Sequence, residues 1–151
     1  MADIKPPFTL ETAQKKVKFA QDMWNTCDPE RVYKAYTEDS IWRNRDNFFT
    51  GHESIKQFLK QKWETEHRYR LRKELFAFMD DKIAVQFWYE FVDNEGQWWR
   101  CYGLEDWTFD IHGKMRKRQM SGNNLKITEK ERWFHEGVRD VNAVSISEEH
   151  W

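Results

Sequence analysis

The hydrophobic pattern changes period once along this chain. Up to about residue 65, apolar positions recur three and four apart, the spacing of a half-buried helix. From residue 68 they alternate, the spacing of a strand. Leu10, Ala13, Val17, Ala20 and Trp24 define one helix face, with Thr9 placed to cap it and an end near Thr26-Cys27. Asp28-Pro29-Glu30 is a helix start: a capping side chain, proline at the first helical position, an acid in the first turn. The short helix that follows turns Val32, Ala35 and Tyr36 inward. Residues 40–43 and 48–50 read as short strands around a turn at 44–47. Gly51 stops the second, and a third helix over 52–64 carries Ile55, Phe58, Leu59 and Trp63 on one side.

Four longer strands are predicted over 68–79, 82–92, 97–109 and 114–123. Turns at Asp80-Asp81, Asp93-Asn94-Glu95-Gly96 and Asp110-Ile111-His112-Gly113 join them. Helices followed by antiparallel hairpins give an α+β class. Strands of about ten residues, against a usual five or six, curl strongly, and a curled sheet over helices leaves a concave pocket. The expected organisation is one domain over 1–125 and a charged tail over 126–151. In that tail Trp133, Phe134, Val138, Val141 and Val144 are anchors for this subunit or for a neighbour.

The strand over 97–109 poses the chemical question. Trp99, Cys101, Gly103, Glu105, Trp107 and Phe109 share its greasier face, so one carboxylate sits among tryptophans. Such a group has a buried partner or a chemical role. In the strand before it, Ile83, Val85, Phe87, Tyr89 and Phe91 form the more apolar face, and Ala84, Gln86, Trp88, Glu90 and Val92 the other.

Composition narrows the function classes. Of 151 residues, 34% are charged and 17% aromatic, with nine tryptophans, which describes a polar shell around large rings rather than a disordered chain. A net charge of -1 argues against a partner bound through phosphates, so no nucleic acid is expected. The basic runs Arg68, Arg70, Arg72, Lys73 and Lys114, Arg116, Lys117, Arg118 read as solvated or ion-paired strand faces. Cys27 and Cys101 read as reduced thiols, consistent with a cytoplasmic protein. The opening MADIKPPFTL lacks an apolar signal region, and no long apolar run occurs, so neither a signal peptide nor a membrane span is expected. The histidines are scattered, and no HExxH, nucleophile elbow, phosphate loop or dinucleotide fingerprint is present. Neither a metal nor a cofactor is expected.

Several short motifs, in this order, carry a family resemblance. They are Asp28-Pro29-Glu30, Ala35 through Ser40, Gly51-His52-Glu53-Ser54-Ile55 and the last hairpin from Trp107 to Met115. Together they resemble the nuclear-transport-factor-2-like (NTF2-like) superfamily. Trp42-Arg43-Asn44-Arg45, Phe48-Phe49-Thr50-Gly51, Lys62-Trp63, Tyr102-Gly103 and Glu105 through Phe109 are closest to a SnoaL-like family of unknown function, DUF1348, over roughly residues 7–133. The resemblance implies a cone-shaped fold, three N-terminal helices on a strongly curved, mostly antiparallel sheet. The superfamily includes isomerases, dehydratases, cyclases, epoxide hydrolases and binding proteins without activity, so the fold leaves function open. Ketosteroid isomerases share the fold and a last hairpin of the form F-D-x-H-G. Anchored on Phe109 to Gly113, the comparison sets Glu105 where those enzymes hold a protonated acid. It also sets Asn44 at their carboxylate base and Ala20 near their oxyanion-hole tyrosine. Two of the three groups are absent, so isomerase activity of that kind is not expected, whereas a pocket of similar layout is.

The candidate site follows from strand parity and this comparison. Glu105 is either an acid or base with a raised pKa, or a carboxylate tied to Arg118 or Arg43. Glu90 lies on the polar face, which apolarity alone would expose and the superfamily comparison turns toward the pocket. If inward, it would form an acid/base pair with Glu105. Trp42 and Asn44 share a parity and face the pocket, Asn44 as an orienting amide or as a turn former, with Arg43 and Arg45 facing away. Trp88, Trp99, Cys101, Gly103, Trp107, Arg118 and Met120 complete the predicted lining. Two functions stay open: a cofactor-independent acid/base enzyme acting on a small apolar molecule, and a non-catalytic ligand-binding or protein-interaction module. A homodimer through the sheet is expected, because the apolar face of strand 82–92 would otherwise be wet.

Overall fold

The first two helices start where their capping chemistry predicts. The computed structural model describes residues 3–151. In α1 (Leu10–Trp24) the Thr9 hydroxyl accepts from the Thr12 amide and the Thr12 hydroxyl accepts from the Thr9 amide, a reciprocal cap. α2 (Pro29–Val32) opens on Asp28, whose carboxylate accepts from the Glu30 amide at 3.0 Å. It then tightens into a 3-10 turn, Tyr33–Ala35, and is shorter than its sequence signals suggest. β1 (Tyr36–Asn44) takes up the residues the helix gives back. A tight β2 (Asn47–Thr50) follows. Gly51, at φ 96°, turns the chain into α3 (His52–Thr65), a left-handed backbone that suits glycine.

Four long strands complete the sheet: β3 (His67–Met79), β4 (Lys82–Val92), β5 (Trp98–Phe109) and β6 (Met115–Ile127). The order is β2-β1-β6-β5-β4-β3, with β1 and β6 parallel and every other pair antiparallel. Three helices on one six-stranded, curved, mostly antiparallel sheet make the expected α+β architecture.

Register decides which faces are buried. Val85 pairs with Glu105, Phe87 with Gly103 and Tyr89 with Cys101, so the apolar face of β4 and the Glu105 face of β5 look the same way, into the concavity. α1 and α3 cover that face with Val17, Trp24, Ile55 and Leu59. The cover expected from a second subunit is thus supplied by the chain's own helices. Phe87 lies directly over Gly103, where a Cβ would fall 1.8 Å from the ring's Cζ. Gly103→Ala forces that ring to move and is expected to destabilise by about 1–3 kcal/mol, measured by urea unfolding.

The convex face is half covered by residues 128–151. Trp88, Phe134 and Val141 form a second small core there. Arg70 donates to the Phe134 and His135 carbonyls, and Arg72 to those of Val141 and Val144. The basic alternation of β3 therefore binds the tail's backbone rather than solvent. Among the described residues no helix is long and apolar enough to cross a membrane.

Candidate functional site

The concave face holds a charged cluster closed off from solvent. Lys73 of β3 reaches across β4, its ammonium 4.6 Å from the centre of the Phe87 ring, and ion-pairs with Glu105 Oε1 of β5. Arg118 of β6 brings its Nε within 2.7 Å of Glu105 Oε2. That contact is ionic; its angle is too poor for a hydrogen bond, which leaves Oε2 without an aligned donor. Arg118 Nη1 donates to Asn44 Oδ1 at 3.1 Å. Glu105, Arg118 and Lys73 are each under 5% exposed. Burial alone would raise the Glu105 pKa, but Arg118 and Lys73 on either side hold it below its ordinary value. Burial lowers the Lys73 pKa, with Glu105 opposing the shift.

Indole faces complete the cluster. The Arg118 guanidinium lies 4.3 Å from the Trp42 ring and 4.9 Å from that of Trp24. The Trp42 N–H has no acceptor within the protein, and the Trp107 N–H has no well-aligned one, though it adds to the lowering of the Glu105 pKa. Their favourable contacts come through the ring faces, which attract the buried cations.

Several predicted lining residues gather here: Trp42, Asn44, Cys101, Gly103, Trp107, Arg118 and Met120 all lie on the concave side. Trp99 shares that side but sits at the sheet margin, where its Nε1 donates to Asp93. Arg43 does face away, donating to Ser121 and to backbone carbonyls. Arg45 does not: from a turn at φ 58° its guanidinium folds inward to the Gly122 carbonyl, Cys101 Sγ and Asn124.

Two further residues lie away from the predicted site. Glu90 and Trp88 lie on the convex face, opposite Arg100 and Tyr102, so no Glu90–Glu105 pair forms. Trp88 packs under the tail. The Glu90 carboxylate accepts from Arg100 Nε at 2.7 Å and from the Trp133 and Phe134 amides at 3.0 and 2.9 Å. Glu90 is buried as deeply as Glu105, but its work is to clamp the tail.

Sequence reasoning missed Lys73 because it ends a basic run. The signal was parity: Lys73 shares a face with Tyr69 and Leu71, both buried. It also missed the cavity's position. A cavity of about 530 Å³ opens between α1, α2 with its 3-10 turn, and the β5–β6 hairpin. Its walls include Phe19, Met23, Trp24, Tyr36, Trp107 and Phe109. Trp24, Tyr36 and Trp107 separate it from the charged cluster. The Tyr36 hydroxyl accepts from Trp24 Nε1 at 3.1 Å, and burial raises its pKa far above the ordinary range.

Comparison with known proteins agrees with this fold. The chain belongs to the family described as protein of unknown function DUF1348, whose model matches residues 6–135. One similar solved structure is SalBIII, described as an epoxide hydrolase/cyclase-like enzyme in pyran ring formation in the polyether salinomycin. It is 13% identical, with a TM-score of 0.67, covering 75% of this chain and 92% of that one. Another is an NTF2-like protein of unknown function from Burkholderia pseudomallei K96243. It is 16% identical, with a TM-score of 0.66, covering 74% of this chain and 90% of that one. At these identities the likeness establishes the fold, which is SnoaL-like and NTF2-like. No protein of curated function matches the sequence.

Proposed function

We propose that the chain binds a small, largely apolar molecule in the cavity walled by Trp24, Tyr36, Trp107 and Phe109. The Glu105, Lys73, Arg118 and Asn44 cluster serves as a rigid frame behind it. The observation that carries this reading is the cavity itself: about 530 Å³, with walls that include Phe19, Trp24, Tyr36, Trp107 and Phe109 together with Met23 and Met115. Those are the size and lining of ligand sites in general. Because two tryptophans line it, binding should change the intrinsic fluorescence. Ala20 also lines it and is half-buried on α1. Ala20→Phe is expected to fill the cavity and weaken binding of a flat aromatic probe by about tenfold or more, while thermal unfolding stays cooperative. Unchanged affinity in a folded Ala20→Phe protein would place the ligand elsewhere.

A second reading, chemistry on the bound molecule, is supported by Tyr36. Tyr36 lines the cavity, and because its hydroxyl accepts the Trp24 N–H it still has its own proton to donate. In this reading Tyr36 polarises the ligand by hydrogen bonding, and Glu105 with Asn44 contributes a fixed field rather than a proton. Turnover of an epoxide or enol that disappears with Tyr36→Phe, while binding persists, would establish it.

We also propose a homodimer through the convex sheet. Phe76 and Leu104, 63% and 62% exposed, border a convex-face groove that Trp151, at the end of the tail, also lines. Leu104→Lys with Phe76→Glu is expected to yield the 18.6 kDa monomer by sedimentation. A wild-type chain that sediments as a monomer at micromolar concentration would rule the dimer out.

A further inference from the structure

The charge around the cavity mouth is not that of the chain. Overall the formal net charge is -1. Among the cavity-lining residues, Lys16, Arg31, Lys34 and Lys114 carry positive charge and Asp22 alone carries negative charge. The parallel pairing of β1 with β6 explains the concentration. Tyr36 is registered with Met115, so Lys34, two residues before the one, and Lys114, next to the other, both lie near the start of the two strands. Both side chains are exposed. Arg31, on α2, is 3.8 Å from Asp28, a loose and solvent-exposed pair. Lys114 also borders a shallow groove with Glu38, Asp39 and Asp110, which draws part of its field outward. The mouth still combines a ring-lined interior with a predominantly cationic edge.

We propose that the ligand is an anionic amphiphile: a flat or ring-bearing apolar body with a carboxylate, sulfonate or phosphate at one end. The body enters between Trp24, Tyr36, Trp107 and Phe109, and the anion stays at the mouth near Lys34, Lys114 and Arg31. This arrangement keeps the anion hydrated, so its desolvation cost is small, and lets apolar contact supply the affinity. The inference rests on the cavity being the binding site, and the experiment separates the two claims.

The test is calorimetric titration of the full chain with 2-naphthoate and with 2-naphthamide, which match in shape and differ in charge. Naphthoate is expected to bind about five- to tenfold more tightly at low salt, a preference that shrinks in about 0.5 M NaCl. The Lys34→Gln/Lys114→Gln variant is expected to lose most of the preference. Lys60→Gln, an exposed lysine on α3 away from the mouth, controls for net charge and should retain it. Ala20→Phe should abolish both bindings if they occur in the cavity. Equal binding of the two probes, or a preference untouched by the double variant, overturns the anionic assignment and leaves the cavity proposal standing. Binding of neither probe at millimolar concentration overturns both.

Discussion

Replacing Glu105 by glutamine is expected to destabilise the fold by about 3–5 kcal/mol, the usual result of removing one partner from a buried ion pair. The cost comes from what remains. Lys73 and Arg118, each about 3% exposed, would face each other without the carboxylate between them. Urea unfolding measures the loss directly. A Glu105→Gln/Lys73→Met double variant is expected to recover part of it, because the uncompensated ammonium is gone. The pH dependence has a definite sign. Arg118 and Lys73 overcome the effect of burial and keep the folded-state pKa of Glu105 below its ordinary 4.5. The unfolded chain therefore binds this proton first as pH falls. The carboxylate's contribution is complete above about pH 4.5 and is lost as pH drops through the folded-state value. Glu105→Gln should flatten the acid limb of the stability profile in that window. A variant of wild-type stability would mean the cluster does not hold the strands together.

Glu90→Ala is expected to have the second largest effect, about 3 kcal/mol. It removes the buried carboxylate that pairs with Arg100 and leaves two tail amides, those of Trp133 and Phe134, without their acceptor. Here the readout has two parts. Global stability should fall, and limited proteolysis should cut within residues 128–151 well before it cuts the sheet. Ligand affinity in the cavity should stay within about twofold, since Glu90 lies on the opposite face of the sheet. Equal loss of binding in Glu90→Ala would show that the tail and the cavity are coupled.

These two carboxylates show where sequence reading succeeds. Both were legible as acids on mostly apolar strands, and period-two alternation placed Glu105 on the concave face. The caps at Thr9 and Asp28, the turn at Gly51 and the four long strands are local events, dictated by side-chain oxygens, proline and glycine, so a few adjacent residues suffice to foretell them. The order of those elements was enough for the fold class, and the motifs set along them carried the resemblance to the family.

What the sequence could not decide was who meets whom across the sheet. Arg118 was a foreseeable partner for Glu105; Lys73 was not, because its contact spans an intervening strand and depends on how sharply the sheet curls. The polar face of β4 looked exposed until residues 131–144 folded back over it and turned Glu90 into a clamp. The apolar face of the same strand argues for a dimer on sequence alone, yet helices of the same chain cover it. The cavity depends on the spacing between α1, α2 and a hairpin some seventy residues away, and its cationic mouth depends on the register of two parallel strands. Local chemistry and periodicity determined the elements, and short motifs carried the family resemblance. Burial and pairing, which depend on contacts between residues far apart in the chain, were decided only when the tertiary structure brought those residues together.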